Sequence, residues 1–118
     1  MKKVLYIDDA SSMRKLVTMV LGKDFDLTLA ENGQDALDRI NSTQFDLIIS
    51  DINMPVMDGL TFLKNARALE CYKFTPILMM TTEASAEMKA QGKLFGATGW
   101  IVKPFDPDKL PGIIRKLV

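Results

Sequence analysis

Four short apolar runs, each followed at once by a polar residue, constrain the fold of this chain more than any other feature. They are residues 4–7 before Asp8 and Asp9, residues 47–50 before Asp51, residues 77–80 before Thr81 and Thr82, and residues 100–102 before Lys103. Such runs, separated by longer segments, are typical of buried parallel strands. Because ligands of open α/β sheets bind at the carboxyl edge, the pattern predicts that three carboxylates, a hydroxyl and an ammonium meet there.

The segments between these runs show the periodicity of amphipathic helices. Apolar residues at 13, 16, 17, 20 and 21 predict a first helix with one buried stripe, capped by Ser11 or Ser12 and ended at Gly22. Residues 25, 27 and 29 alternate with polar residues, which indicates an edge strand. Gly92 weakens the fourth helix by about 1 kcal/mol relative to alanine, and Pro111 places the start of the last helix near Lys109.

Strict alternation of strands and helices predicts an α/β fold, a doubly wound (βα)5 flavodoxin-like parallel sheet in three layers. The second strand reads as an edge and the first, third and fourth as central. This agrees with the order 2-1-3-4-5 known from flavodoxin-like folds, although the pattern alone does not fix that order. A length of 118 residues with 47% hydrophobic content predicts one domain over residues 1–118.

Composition excludes several function classes. Lysine plus arginine equals aspartate plus glutamate at 15 each, so we expect no nucleic-acid or membrane partner. The sequence contains no histidine, which excludes Ser-His-Asp hydrolases, histidine-ligated zinc and a histidine phosphoacceptor. Cys71 is the only cysteine, and the first residues lack a signal-peptide core. A cytoplasmic monomer is expected, with charged helix residues such as Arg14 and Arg67 facing solvent.

Each polar residue at a strand end also has a plainer interpretation. Asp8 and Asp9 alone would most often belong to a helix N-terminus, Asp51 to a loop, Lys103 to the surface, and Thr81 or Thr82 to a strand or cap. Gathered at one edge, three like charges require a cation, and without histidine or thiolate ligands that cation is Mg²⁺. An ammonium and a hydroxyl beside it would suit phosphoryl transfer to a carboxylate.

Four segments carry a specific family resemblance over the whole chain. The stretches YIDDASSMR, ISDINMPVMDGL, LMMTTEA and GATGWIVKPF resemble, in order and separation, the motif blocks of bacterial response-regulator receiver domains. The sequences of these segments are most similar to those of the stand-alone chemotaxis members of that family. The resemblance implies a two-component phosphoprotein that takes its phosphoryl group from a sensor histidine kinase.

The same resemblance implies a role for each matching position. Asp51 would be the phosphoacceptor, and the Mg²⁺ ligands would be Asp8, Asp9, Asp51 and the backbone carbonyl of Asn53. The phosphoryl-contacting and switch residues would be Thr81, Lys103 and Trp100, the last standing where the family usually has tyrosine or phenylalanine. Asn53 and Glu83 would tune self-dephosphorylation, and Lys103–Pro104 would be a cis peptide.

Partners and alternatives follow from the resemblance. It implies a CheA-like sensor kinase, a flagellar motor switch protein or other effector, in some systems a phosphatase, and no enzymatic activity beyond the protein's own phosphoryl transfer and autodephosphorylation. A phosphate sink, a phosphorelay shuttle or a regulator of a separate effector fits the same residues. A haloacid-dehalogenase-type phosphatase would need an acid at Asn53. A flavin carrier is disfavoured because Asp8 and Asp9 would repel the flavin phosphate.

Overall fold

In a computed structural model that describes residues 1–82 and 85–118, strands and helices alternate along the chain. The strands are β1 (Lys3–Ile7), β2 (Asp26–Ala30), β3 (Leu47–Asp51), β4 (Ile77–Thr81) and β5 (Gly99–Val102). The helices are α1 (Ser11–Leu21), α2 (Gly33–Ser42), α3 (Gly59–Arg67), α4 (Ala86–Phe95) and α5 (Leu110–Leu117), with a 3-10 turn at Glu70–Tyr72.

The five strands form one parallel sheet in the order β2-β1-β3-β4-β5, which confirms the predicted fold class and order. Central strands β3 and β4 are buried along their whole length, whereas β2 is partly exposed at its edge. At the carboxyl edge, Ile7 pairs with Ser50, Asp51 with Met80, and Thr81 with Val102. This register brings the ends of four strands level with one another.

Helices cover both faces of the sheet. Alternate residues of β1 point to opposite faces, so Leu5 and Ile7 pack with α2 and α3 while Val4 and Tyr6 pack with α1 and α5. Burial of the strands on both faces explains why their sequences are apolar without alternation. No helix in the described part of the chain has the length and apolar character needed to cross a membrane.

Two local predictions about α1 are wrong. The residue at its N-cap is Ala10, with no side-chain cap, because Ser11 and Ser12 are already helical. The Ala10 N–H is instead satisfied by Asp8. Leu16, placed in the buried stripe by periodicity, is 36% exposed, whereas Val17 and Leu21 are fully buried and Met13 and Val20 pack partly buried against the core.

Arg67 is partly buried, which corrects the prediction that it faces solvent. Its guanidinium donates hydrogen bonds to the backbone carbonyls of Gly96, Tyr72 and Thr75. Burial lowers the pKa of Arg67 from its usual value. Gly96 ends α4 in a left-handed conformation with φ 98°, so Arg67 fixes the C-terminus of α4 against the end of α3.

Candidate phosphoryl-transfer site

The predicted acidic cluster forms at the carboxyl edge of the sheet. Asp8 and Asp9 lie in the link between β1 and α1, and Asp51 is the last residue of β3. Each of the three can offer one carboxylate oxygen, and these oxygens lie within 4.8 Å of one another. The cluster sits between β1 and β3, where the strand order reverses, which is the point at which open α/β sheets bind ligands.

Asp8 is fully buried, and both of its carboxylate oxygens accept hydrogen bonds. Oδ2 accepts from the Tyr6 hydroxyl at 2.6 Å and from Lys103 Nζ at 3.2 Å, while Oδ1 accepts from the Ala10 N–H at 3.0 Å. Arg14 donates to the Asp8 backbone carbonyl at 2.8 Å. Buried charges persist only when paired and hydrogen-bonded, and Asp8 meets that condition.

Lys103 links the two buried acids. Its ammonium lies 3.2 Å from Asp51 Oδ2 as well as 3.2 Å from Asp8 Oδ2, and only 15% of its side chain is exposed. The second oxygen of Asp51 accepts a hydrogen bond from the Ile52 N–H at 2.9 Å. One ammonium is therefore shared by two carboxylates.

The pKa of Asp51 is raised, chiefly by burial and then by the charge of Asp8, with partial compensation from Lys103 and the Ile52 N–H. Three carboxylates around one ammonium leave excess negative charge in a largely buried site. A hard divalent cation that prefers carboxylate oxygens removes that excess, so the donor set fits Mg²⁺.

Removing the Asp51 charge should stabilise the metal-free protein at neutral pH. A folded-state pKa above the unfolded value means that ionised Asp51 opposes folding, and this penalty disappears as pH falls through the folded pKa. At neutral pH, we expect the free energy of unfolding of Asp51→Asn to exceed that of the wild type by about 0.5–2 kcal/mol. Urea unfolding in chelator across a pH series measures this. The prediction is contradicted if the wild type has the higher free energy of unfolding at neutral pH. It is also contradicted if the extra stability of the variant increases as the pH falls.

The two threonines after the fourth apolar run differ in placement. Thr81 is the last residue of β4 and is buried, whereas Thr82 is exposed. The backbone carbonyl of Thr81 accepts a hydrogen bond from the Lys103 N–H at 2.8 Å, which ties the ends of β4 and β5 together. Of the two, Thr81 therefore lies at the end of the sheet beside Lys103.

Trp100 is partly buried on β5 and packs against α4. A Cβ atom added at Gly92 would overlap the Cζ2 atom of the indole, so Gly92 leaves the space that the larger ring occupies. From the sequence alone, Gly92 is recognisable only as a glycine that destabilises the helix. In the fold, it brings β5 and α4 into direct contact.

Of the remaining predicted site residues, Asn53 and Pro104 lie in the described part of the chain. Asn53 is exposed in the connection between β3 and α3. The Lys103–Pro104 peptide bond is cis. Glu83 lies outside the described residues.

Sequence reasoning missed two residues of the site, Tyr6 and Arg14. Arg14 is not a solvated helix residue as predicted, because it reaches back to the Asp8 carbonyl. Tyr6 looks like an ordinary apolar strand position, yet residues i and i+2 of a strand share a face. A hydroxyl two positions before Asp8 is the signal that could have identified it.

Comparison with known proteins agrees with this geometry. The family model described as "Response regulator receiver domain" matches residues 4–115. The chain belongs to the response regulator receiver domain family. It is also 40% identical over 121 residues to the Vibrio cholerae protein named "Chemotaxis protein CheY-3", covering 98% of this chain and 93% of that relative. "Chemotaxis protein CheY" of Pseudomonas aeruginosa is 36% identical over 118 residues, with coverage of 98% and 94%.

Solved structures of receiver domains show the same fold. The structure of Vibrio cholerae CheY4 aligns with a TM-score of 0.96 and 47% identity, covering 100% of this chain and 99% of that one. A response regulator structure from Chloroflexus aurantiacus aligns with a TM-score of 0.90 and 30% identity, covering 98% and 96%. As a receiver domain, this chain is a signalling protein rather than a typical enzyme.

Proposed function

We propose that this receiver domain accepts a phosphoryl group on Asp51 from the phosphohistidine of a sensor kinase in a Mg²⁺-dependent step. The observation that supports this most directly is the carboxylate cluster bridged by Lys103, with Asp8 and Asp51 each 3.2 Å from its ammonium. A phosphoryl group on Asp51 would bring negative oxygens beside a cation already in place.

In the transfer step, one Asp51 carboxylate oxygen attacks phosphorus. The nitrogen–phosphorus bond of the kinase histidine breaks, an oxygen–phosphorus bond forms, and the nitrogen keeps the electron pair and takes up a proton. Mg²⁺, held by Asp8, Asp9, Asp51 and the Asn53 carbonyl, would neutralise charge on the phosphoryl oxygens. An ionised carboxylate needs no general base, which agrees with a sequence that has no histidine.

The phosphoryl group would act as a switch by competing for side chains at the edge of the sheet. Lys103 is shared between two carboxylates and would move toward the phosphoryl oxygens, and the Thr81 hydroxyl would donate to them. Movement at the end of β4 would reach Trp100, whose contact with Gly92 couples β5 to α4. A useful switch needs a few kcal/mol of difference between its two states.

Self-dephosphorylation would return the domain to its starting state. A water oxygen attacks phosphorus, the bond to Asp51 breaks, and inorganic phosphate leaves with the carboxylate regenerated. Asn53 is exposed in the connection that follows Asp51. We assign Asn53 and Glu83 to setting its rate.

For the output we propose chemotaxis control of the flagellar motor, with a CheA-like kinase as phosphoryl donor. Relatives named as chemotaxis proteins that match along nearly their full length support this choice. In the presence of Mg²⁺, adding beryllofluoride as a phosphoryl mimic should increase binding to a flagellar motor switch protein. Fluoride with Mg²⁺ but without beryllium is the control. Equal affinity with and without the mimic contradicts the proposed switch.

A further inference from the structure

Tyr6 places a second hydroxyl in the buried part of the site. The residue is fully buried on β1, two positions before Asp8, and its hydroxyl donates to Asp8 Oδ2 at 2.6 Å. The Met80 sulfur lies 3.7 Å from the same hydroxyl, a weaker contact. A phenol donates one hydrogen bond through its O–H, and the shorter contact shows Asp8 as the acceptor.

Counting acceptor positions shows what this hydrogen bond does. An ionised carboxylate has about four lone-pair positions, two on each oxygen. On Asp8, Tyr6 and Lys103 occupy the two positions of Oδ2, and the Ala10 N–H occupies one position of Oδ1. Among the described residues, no donor forms a hydrogen bond to the fourth position, which is the second one on Oδ1. The open acceptor position of Asp8 is therefore on Oδ1.

We propose that Tyr6 is a positioning residue of the metal site, whose hydroxyl holds Asp8 so that Oδ1 faces the cation or a water on it. The inference rests on the proposed Mg²⁺ site and goes beyond the ligand set by naming the group that orients one ligand. Hydrogen-bond partners of metal ligands commonly change metal affinity 10- to 100-fold when they are removed. A rigid, buried ring with a short hydrogen bond suits this role.

The alternative is that Tyr6 is a core tyrosine whose hydroxyl merely needs a partner. Tyr72 provides the matched control, because it is also fully buried and its hydroxyl also makes hydrogen bonds. It donates to the Thr43 carbonyl at 2.6 Å and accepts from the Phe45 N–H at 3.0 Å. These partners precede β3, at the opposite end of that strand from Asp51.

The test is to titrate Mg²⁺ into the metal-free wild type, Tyr6→Phe and Tyr72→Phe and to measure binding from changes in amide chemical shifts. Tyr6→Phe should weaken Mg²⁺ binding by about tenfold or more, while Tyr72→Phe should stay within about twofold of the wild type because it lies outside the site. Both variants should unfold at lower temperature, since each loses a buried hydrogen bond. Tyr6→Met tests loss of the same hydroxyl with a second, adaptable side chain.

Unchanged or tighter Mg²⁺ binding by a folded Tyr6 variant overturns the positioning role and leaves the proposed function intact. An equal weakening in Tyr72→Phe also overturns it, because the effect would then be structural. Failure of the wild type to bind Mg²⁺ is a different result. It contradicts the proposed metal site itself and removes the basis of this inference.

Discussion

Asp51→Asn should abolish phosphoryl uptake while leaving the fold intact. Asparagine has nearly the shape of aspartate, so the packing around the end of β3 is preserved, but its amide lacks the anionic oxygen that attacks phosphorus. The substitution also removes one carboxylate from the acidic cluster and should weaken Mg²⁺ binding. The expected result is complete loss of phosphorylation of this domain.

Transfer from a radiolabelled, phosphorylated sensor kinase measures this effect. Asp38→Asn is the matched control, because Asp38 is an exposed aspartate on α2 outside the cluster. It should accept phosphate at the wild-type rate. Retained transfer to Asp51→Asn would falsify the assignment of the phosphoacceptor.

Gly59→Ala should cause the largest loss of stability among glycine substitutions in this domain. A Cβ atom at Gly59 would overlap the backbone carbonyl oxygen of Asp51 and lie 2.9 Å from the Ile52 Cα. Gly59 also donates its N–H to the Ile52 carbonyl at 2.8 Å, so it cannot move away without breaking that bond. We expect a loss of about 3 kcal/mol, near the upper end for overpacking. Mg²⁺ binding should weaken too, since the displaced backbone carries Asp51.

Gly112→Ala is the control for the change of residue type. Gly112 lies exposed in α5, and a Cβ atom there would meet nothing within 4 Å. Alanine in a helix is favoured over glycine, so this variant should gain about 0.5–1 kcal/mol. Urea unfolding of both variants checks the pair. Similar changes in the free energy of unfolding of the two variants would show that the close approach of Gly59 to the Asp51 carbonyl is unimportant.

Sequence alone determined the order of elements and the chemistry at the strand ends. Helical periodicity and short apolar runs are local properties, so each element could be located from its own residues. The polar residue that ends a strand is equally visible, which is why Asp8, Asp51, Thr81 and Lys103 could be grouped by their positions along the chain. The order of strands in the sheet was not local and came from the known topology of flavodoxin-like folds.

Tertiary structure decided which groups satisfy the buried charges. Lys103 and Asp8 are 95 residues apart and meet only because their strands share one sheet edge. The fit of Trp100 over Gly92 likewise could not be derived from spacing, whereas the Tyr6 hydrogen bond to Asp8 joins residues two positions apart and had a local signal in the sequence. A buried polar or bulky group takes whichever partner the packed fold brings to it. The sequence determined the side chains available at the site, and the packing of the sheet and helices determined which of them interact.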